Sequence, residues 1–352
     1  MQTIQINASS SYNIYVGEGI LAQCGDIINK IKPYKKAVIV TDDIVEKLYA
    51  KKVLKSLEKS GIKATVFSFK NGEESKSHKT LITLYEFLSQ NSMSRTDLLI
   101  ALGGGVVGDL TGFAAATYLR GLDFVQIPTT LLAQTDSSIG GKTAVNIESG
   151  KNLVGAFKQP ECVICDTETL KTLSDEIYSD GMSEIIKYGM IKSKSLFETL
   201  SNGINDSQLI DVITECINIK KSVVEADEFD KGERMLLNFG HTFGHAIEKA
   251  NNYTGITHGK AVAIGMMIIS DYSEKTGITA KGTTEKLKNC LEKYNLPTRT
   301  DFKVSELIKT CLNDKKRETD NINLILCKDI GESEIKKLAI PDFYKLMEVA
   351  YV

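Results

Sequence analysis

Three of the chain's four histidines, His241, His245 and His258, fall within eighteen residues. In RMLLNFGHTFGHAIE, Arg234, Asn238, His241 and His245 follow one another at intervals of 4, 3 and 4. On a continuous helix this spacing gathers all four within an arc of roughly 60°. A solvent-facing stripe is normally built from Lys and Glu. This one offers a guanidinium for a phosphate, an amide for a hydroxyl or phosphate oxygen, and neutral imidazoles for a divalent metal. Gly240 and Gly244 would each cost about 1 kcal/mol inside such a helix unless another backbone approaches closely there. His241 and His245 form an i, i+4 chelating pair, yet HTFGH lacks the Glu of HExxH, so a zinc-peptidase reading loses its general base. His258, in the turn-like THGK, is the other candidate for a second histidine ligand. A catalytic zinc takes three protein ligands and keeps an open position, so a carboxylate should join two histidines. Glu184, in GMSEIIKYGMIK, is that candidate, sharing a helical face with Lys187 at i, i+3 in apolar surroundings, although the same spacing suits a structural ion pair. Spacing alone leaves His245 and His258 open as alternatives.

A second group of residues has the character of a phosphate site. Gly103, Gly105 and Gly108 fit GxGxxG between the strand-like LLIAL and a helix expected from about Asp109. Glycines there let the backbone approach a pyrophosphate, and the N–H groups at a helix start favour its charge; glycines at such a junction also serve turns alone. The acidic residue expected about 20 positions on is not cleanly placed, since Asp123 comes early, and Asp42 at the end of an earlier strand is the alternative ribose ligand. DSSIGGKT (136–143) has Asp136 where the P-loop pattern needs glycine, which argues against a triphosphatase. What remains is a Gly140-Gly141 turn that can aim Lys142 at an anion, with Asp136 available for a hydroxyl. GKN at 150–152 offers Lys151 and Asn152 in the same manner.

The elements that must position these groups are legible in the periodicity. AVIVTDD (37–43), ATVFSF (64–69), LLIALGGG (98–105), FVQIPTT (124–130) and ECVICD (161–166) read as strands. They alternate with helical segments ending near Ser60 and spanning 78–90 and 109–119, the pattern of a layered α/β domain that binds ligands beyond the carboxyl ends of its strands. The N-terminal MQTIQINASSSYNIYVGEG reads as a strand pair rather than a signal peptide. After about residue 170 helical spacing dominates, and NINLILC (321–327) is the one clear strand.

Composition narrows the function classes. Hydrophobic residues at 42% and charged residues at 25% are those of an ordinary soluble protein. Lys+Arg 43 against Asp+Glu 45 leaves a net charge of −2 and no basic field for nucleic acid. No stretch approaches the ~20 apolar residues of a membrane span. Seven cysteines, an odd number, read as reduced and mostly buried thiols, which fits a cytoplasmic location. Cys162 and Cys165 lie three apart in a strand-like run, on opposite faces, and cannot chelate one ion.

GGGVVGD (103–109), RG (120–121), IPTTLLAQTDSSIGGKTAVN (127–146), GKNLVGAF (150–157), SEIIKYG (183–189), LLNFGHTFGHAIE (236–248) and HGKAVAIGM (258–266) together resemble, in this order, the 3-dehydroquinate synthase family of sugar-phosphate cyclases. With GEESK (72–76) and DKK (314–316) the resemblance covers nearly the whole chain. It implies an α/β Rossmann-like NAD-binding domain over 1–170, a mostly α-helical metal- and substrate-binding domain over 171–352, and a cytoplasmic homodimer. The implied reaction converts 3-deoxy-D-arabino-heptulosonate 7-phosphate to 3-dehydroquinate and phosphate, a step of the shikimate pathway to aromatic amino acids. NAD⁺ is regenerated in each cycle of oxidation, phosphate elimination, re-reduction and aldol closure.

The resemblance also assigns residues. Glu184, His241 and His258 would hold the divalent metal, zinc or cobalt, leaving His245 for the substrate phosphate. NAD would meet Asp42, Glu73, Lys76, Gly104, Gly105, Val106, Asp109, Thr129, Thr130, Lys142 and Lys151, with Thr169 and Thr172 nearby. The substrate would meet Asp136, Lys142, Asn152, Lys187, Lys220, Arg234 and Asn238, Arg120 reaching over from the partner subunit, and either Lys315 or Lys316. Two positions depart from the family: Lys260 where Glu commonly follows HG, and Asp230 where Glu is common. The competing readings are a sister cyclase such as 2-deoxy-scyllo-inosose synthase acting on glucose 6-phosphate, a polyol dehydrogenase of related fold that would release NADH, and a non-catalytic NAD-binding protein. The phosphate-binding set Lys142, Arg234, Asn238 and His245 has no use in a polyol dehydrogenase.

Overall fold

The computed structural model describes residues 1–315 and 321–343, without the side chains of 312–315; Lys316 lies outside it and Lys315 is described by its backbone alone. The chain opens with a hairpin, β1 (Gln2–Asn7) antiparallel to β2 (Ser11–Gly17), followed by α1 (Cys24–Ile31). β3 (Lys36–Asp42) leads into α2 (Asp43–Val45), which passes through a π-helical turn (Glu46–Ala50) into α3 (Lys51–Lys59). β4 (Lys63–Phe69), α4 (His78–Gln90), β5 (Leu98–Gly103), α5 (Gly105–Thr117), β6 (Asp123–Pro128) and β9 (Cys162–Asp166) complete the alternation, interrupted by a hairpin of β7 (Lys142–Ile147) and β8 (Gly150–Phe157). Sequence periodicity did not disclose this hairpin, because its residues read as glycine turns.

Seven strands form one sheet in the order β1-β2-β9-β6-β5-β3-β4, parallel throughout except at β1. Ala37 to Asp42 of β3 are all buried, as expected of a parallel strand covered on both faces. The alternation of side chains divides the core in two. Ile39, Ile100 and Ile164 pack with α1 and α3 through Ile28, Val53 and Leu57. Val38, Val40, Leu99 and Phe124 pack on the other face with Leu84 and Leu88 of α4 and Leu110 and Phe113 of α5. From β3 the chain winds outward to β4, then returns to β5 on the opposite side and continues to β6. This reversal between β3 and β5 is a topological switch point, where open α/β sheets leave a crevice for a ligand at the strands' carboxyl ends.

The remaining elements are mostly helical: α6 (Asp175–Lys192), α7 (Lys194–Asn202), α8 (Leu209–Ala226), α9 (His241–Ala250), α10 (His258–Lys275), α11 (Thr283–Lys293) and α12 (Val304–Lys315). The expected strand near 321–327 is β10 (Asn321–Asp329), which pairs antiparallel with β11 (Glu332–Ala339). The division into 1–170 and 171–352 needs correction. One compact unit comprises Met1–Ser174 and Leu209–Phe229, the other Asp175–Gln208 and Asp230–Val352. α8 thus belongs to the first unit. Asn7 N donates to Glu225 at 2.7 Å, Thr214 Oγ1 donates to Gln2 Oε1 at 2.8 Å, and Lys220 Nζ donates to Asp136 Oδ1 at 2.8 Å. The apolar face of α8, including Val212, Ile213, Cys216 and Ile217, is evident in its period, but a period does not say which layer it will cover. The seven cysteines are all buried thiols rather than disulfides. Among the described residues no helix is long and apolar enough to cross a membrane.

Candidate active site

In the second unit, α6, α9 and α10 bring Glu184, His241 and His258 together. His241 Nε2 lies 3.7 Å and His258 Nε2 3.8 Å from Glu184 Oε1. That oxygen is buried and has no hydrogen-bond partner among the described residues, a costly condition unless something positive completes it. The other carboxylate oxygen, Oε2, accepts from Lys187 Nζ, which is itself buried and lies 5.4 Å over the Tyr188 ring. Each imidazole is held from behind. His241 Nδ1 lies 3.2 Å from the carbonyl oxygen of Phe239, so Nδ1 carries the proton and the lone pair is at Nε2. His258 Nδ1 lies 3.4 Å from Glu248 Oε2, with the same consequence.

The ligand atoms of Glu184, His241 and His258 all lie within 4.8 Å of one another, so a single divalent cation fits among two imidazole nitrogens and one orphaned carboxylate oxygen. Burial, followed by the nearby Lys187 ammonium, holds the His241 imidazole well below its usual pKa, so it is a neutral ligand at neutral pH. Burial pulls His258 the same way, but Glu248 and Glu184 outweigh it and raise that imidazole. His245 is exposed, with ring centroids 5.4 Å from His241 and 6.1 Å from His258.

The expectation that one helix face carries Arg234, Asn238, His241 and His245 is not met. Arg234 and Asn238 sit on a 3-10 turn (Glu233–Asn238), and α9 begins only at His241. Arg234 is buried and Asn238 exposed. Between them and α9, Gly240 adopts φ 79, the left-handed region, because α10 crosses there. A Cβ on Gly240 would lie 2.5 Å from Met266 Cγ, one on Gly244 3.2 Å from Val262 Cα, and one on Gly265 would collide with the Gly240 carbonyl. The close approach anticipated from the two glycines is therefore present, but it breaks the helix at one of them. Of the two departures from the family, Lys260 Nζ donates to Glu176 Oε1, and Asp230 stands at φ 59 where the chain leaves the α8 segment.

In the first unit, the switch point gathers the glycine-rich turn. Gly104 caps α5, which starts at Gly105, four residues before the expected Asp109. Gly104, Gly105 and Val106 are half-buried, and their N–H groups open the helix. A Cβ on Gly104 would lie 3.1 Å from Thr130 Cγ2 and one on Gly105 3.1 Å from Ser137 Oγ, so packing as well as phosphate approach favours glycine. Thr129 donates its N–H to the Gly103 carbonyl at 3.0 Å and keeps a buried hydroxyl without a hydrogen-bond partner among the described residues; Thr130 Oγ1 accepts from Ala133 N. Asp42 ends β3 as expected, with Oδ1 accepting from Ile44 and Val45 N–H at 3.0 Å each, so that oxygen is an N-cap.

A polar network joins the residues flanking α5. Lys76 Nζ donates to Asp109 Oδ2 at 2.5 Å and to Asn152 Oδ1 at 2.6 Å. Asn146 donates to Glu73 Oε1 at 2.7 Å and accepts from the Asn152 N–H at 2.9 Å. Asn152 adopts φ 57 in this bend. Burial raises the Asp109 carboxyl, and the Lys76 ammonium opposes it. Thr169 and Thr172 are held with Tyr49, whose hydroxyl lies 2.5 Å from Thr172 Oγ1 and donates to the Thr169 carbonyl at 3.1 Å. Asp136 and Lys220 are paired, Lys142 is exposed at the start of β7, Lys151 is half-buried, and Arg120 is exposed just past α5. Sequence reasoning passed over two residues: Asn146, which links Glu73 to Asn152 across the hairpin, and Glu248, whose i, i+3 relation to His245 was the available signal.

The chain is similar to known proteins over nearly its whole length. Models of the 3-dehydroquinate synthase N-terminal and C-terminal regions match residues 66–180 and 181–317. A 3-dehydroquinate synthase from Clostridium acetobutylicum is 48% identical over 355 aligned residues, covering 99% of this chain and 100% of that protein. One from Clostridium kluyveri is 45% identical, covering 98% of each. Among solved structures, 2-deoxy-scyllo-inosose synthase complexed with carbaglucose-6-phosphate, NAD⁺ and Co²⁺ superposes with a TM-score of 0.88 at 27% identity, over 98% of this chain and 99% of that one. With two family models end to end and near-complete relatives at such identity, this chain belongs to the 3-dehydroquinate synthase family.

Proposed function

We propose that the protein is an NAD- and divalent-metal-dependent lyase that converts 3-deoxy-D-arabino-heptulosonate 7-phosphate to 3-dehydroquinate and phosphate. The observation that carries this reading is the buried, partnerless Glu184 oxygen faced by two imidazole nitrogens, in a chain 48% identical to a 3-dehydroquinate synthase over nearly its full length. When bound, NAD supplies a reversible hydride acceptor and the metal a Lewis acid that acidifies substrate hydroxyls.

The chain's own residues do the rest. Glu184, His241 and His258 hold the metal. Lys187, buried and with its ammonium on Glu184, is placed to hold a proton beside the reacting hydroxyl. Arg234, Asn238 and His245 take the phosphate, and their charge and hydrogen bonds stabilise it as it leaves. The exposed Lys142 is a further cation for substrate. The Asp136–Lys220 pair and Asn152 orient hydroxyls. Gly104, Gly105 and Val106 offer N–H groups to the dinucleotide phosphates, and Asp42, Glu73, Lys76, Asp109, Thr129, Thr130, Lys142, Lys151, Thr169 and Thr172 line its site. Arg120 serves the partner subunit's site in a homodimer, and seven buried thiols outside any disulfide suit the cytoplasm.

The likeness to 2-deoxy-scyllo-inosose synthase supports a second reading, a sister cyclase acting on glucose 6-phosphate. Metal-loaded protein with catalytic NAD⁺ separates the two. Release of phosphate and 3-dehydroquinate from the heptulosonate phosphate alone, without accumulating NADH, is the expected result. Turnover of glucose 6-phosphate alone would overturn it in favour of the sister activity.

A further inference from the structure

We infer that Glu248 is a positioning residue for the metal site, acting through His258. The inference rests on the reading of Glu184, His241 and His258 as the metal ligands. The His258 ring stands between two carboxylates: its Nε2 faces Glu184 Oε1 at 3.8 Å, and its Nδ1 faces Glu248 Oε2 at 3.4 Å. Glu248 is 4% exposed, on α9 about two turns beyond His241. A carboxylate so buried must be used, and the imidazole proton at Nδ1 is within its reach. Fixing that proton at Nδ1 leaves Nε2 as the lone-pair nitrogen, and the negative charge makes the ring a stronger donor to a cation. His241 is arranged with the same polarity, but against a neutral carbonyl, Phe239 O at 3.2 Å. The two imidazoles are therefore unequal, and His258 is the more basic ligand.

Glu248 also belongs to a second group, His245, Glu248 and His258, whose ligand atoms lie within 4.8 Å of one another. The geometry favours the positioning role. His245 is exposed, whereas Glu184 is buried with an orphaned oxygen that only the first group satisfies. If Glu248 positions His258, its removal weakens metal binding without abolishing it, and it does so by altering the ligand field rather than the ligand count.

The test titrates metal-free full-length protein with Zn²⁺ against a chromophoric chelator and with Co²⁺ by visible absorption, for wild type, Glu184→Ala, Glu248→Gln and Glu248→Ala. Circular dichroism melts of the metal-free proteins establish folding. Glu248→Ala is expected to bind one equivalent with about 10- to 100-fold weaker affinity and a shifted cobalt spectrum. Glu248→Gln, which can still accept from Nδ1 but carries no charge, is expected to fall between it and wild type, and it carries the test if the alanine variant does not fold. Wild-type affinity and spectrum in the folded Glu248 variants would overturn the inference. Complete loss of binding in Glu248→Gln would overturn it too, making Glu248 a ligand. The underlying reading fails separately, if Glu184→Ala keeps wild-type affinity.

Discussion

At the scale of single residues, the two sets of polar groups in the second unit differ in how much their removal should cost. Glu184 gives one oxygen to Lys187 and, in the proposed role, the other to the cation, so truncating it would remove a ligand and leave a buried ammonium without that partner. Losing a residue that only orients a ligand already costs about 10- to 100-fold in metal affinity, so Glu184→Ala or His241→Ala is expected to lose stoichiometric metal and reduce turnover by on the order of 100-fold or more. Metal analysis of the purified variants checks this, and unchanged metal content would remove both residues from the ligand set. Arg234 is a different case. It is buried, is not among the proposed metal ligands, and in its proposed role would act by charge-assisted hydrogen bonds worth about 1.5–3 kcal/mol. Arg234→Ala should retain metal and lose about 10- to 150-fold in kcat/KM for the phosphorylated substrate. A variant with wild-type kcat/KM would refute the phosphate role.

At the scale of elements, the crossing of α9 over α10 decides where the histidines point. Gly240, Gly244 and Gly265 let the two backbones touch, and the left-handed Gly240 ends one turn so that α9 can begin at His241. Gly265→Ala would press a methyl group into the Gly240 carbonyl. Overpacking of this kind costs about 1–3 kcal/mol, so the variant is expected to lose that much stability in urea unfolding and to bind metal more weakly, because His241 and His258 would be prised apart. Wild-type stability and affinity together would mean that the crossing tolerates more than its geometry suggests.

The same crossing explains what could be read in the sequence and what could not. The types and spacing of Arg234, Asn238, His241 and His245 suggested a site, and the two glycines marked a close approach. A 3.6-residue period assumes an unbroken helix, however, and only the position of α10, set by contacts distant in sequence, shows that the helix breaks at Gly240. The long strands β3, β5, β6 and β9 were legible because burial on both faces imposes continuous apolar runs. The β7–β8 hairpin was not, since it is held by the Asn146 side chain, which accepts from the Asn152 backbone N–H across the turn instead of following a period.

At the scale of the whole molecule, the chain passes from the first unit to the second after Ser174, returns at Leu209 and leaves again after Phe229. The nucleotide-like turn at the head of α5 and the Asp42 cap lie in the first unit, and the three proposed metal ligands all lie in the second. A ligand that binds only the native state stabilises the part that must open to release it, by about 2.7 kcal/mol at a concentration 100 times its Kd. Amides that exchange by opening of that part should then slow by about 100-fold, since each 1.4 kcal/mol is a factor of ten. Hydrogen exchange read by mass spectrometry is expected to assign Zn²⁺ protection to α6, α9 and α10, and NAD⁺ protection to β5, α5 and the carboxyl end of β3. α8 is the discriminating element. Its Lys220 is bonded to Asp136 in the first unit although its chain neighbours on both sides belong to the second, so it should follow NAD⁺ and remain indifferent to metal. Protection of α8 by Zn²⁺ alone would mean that connectivity, not packing, governs which residues open together.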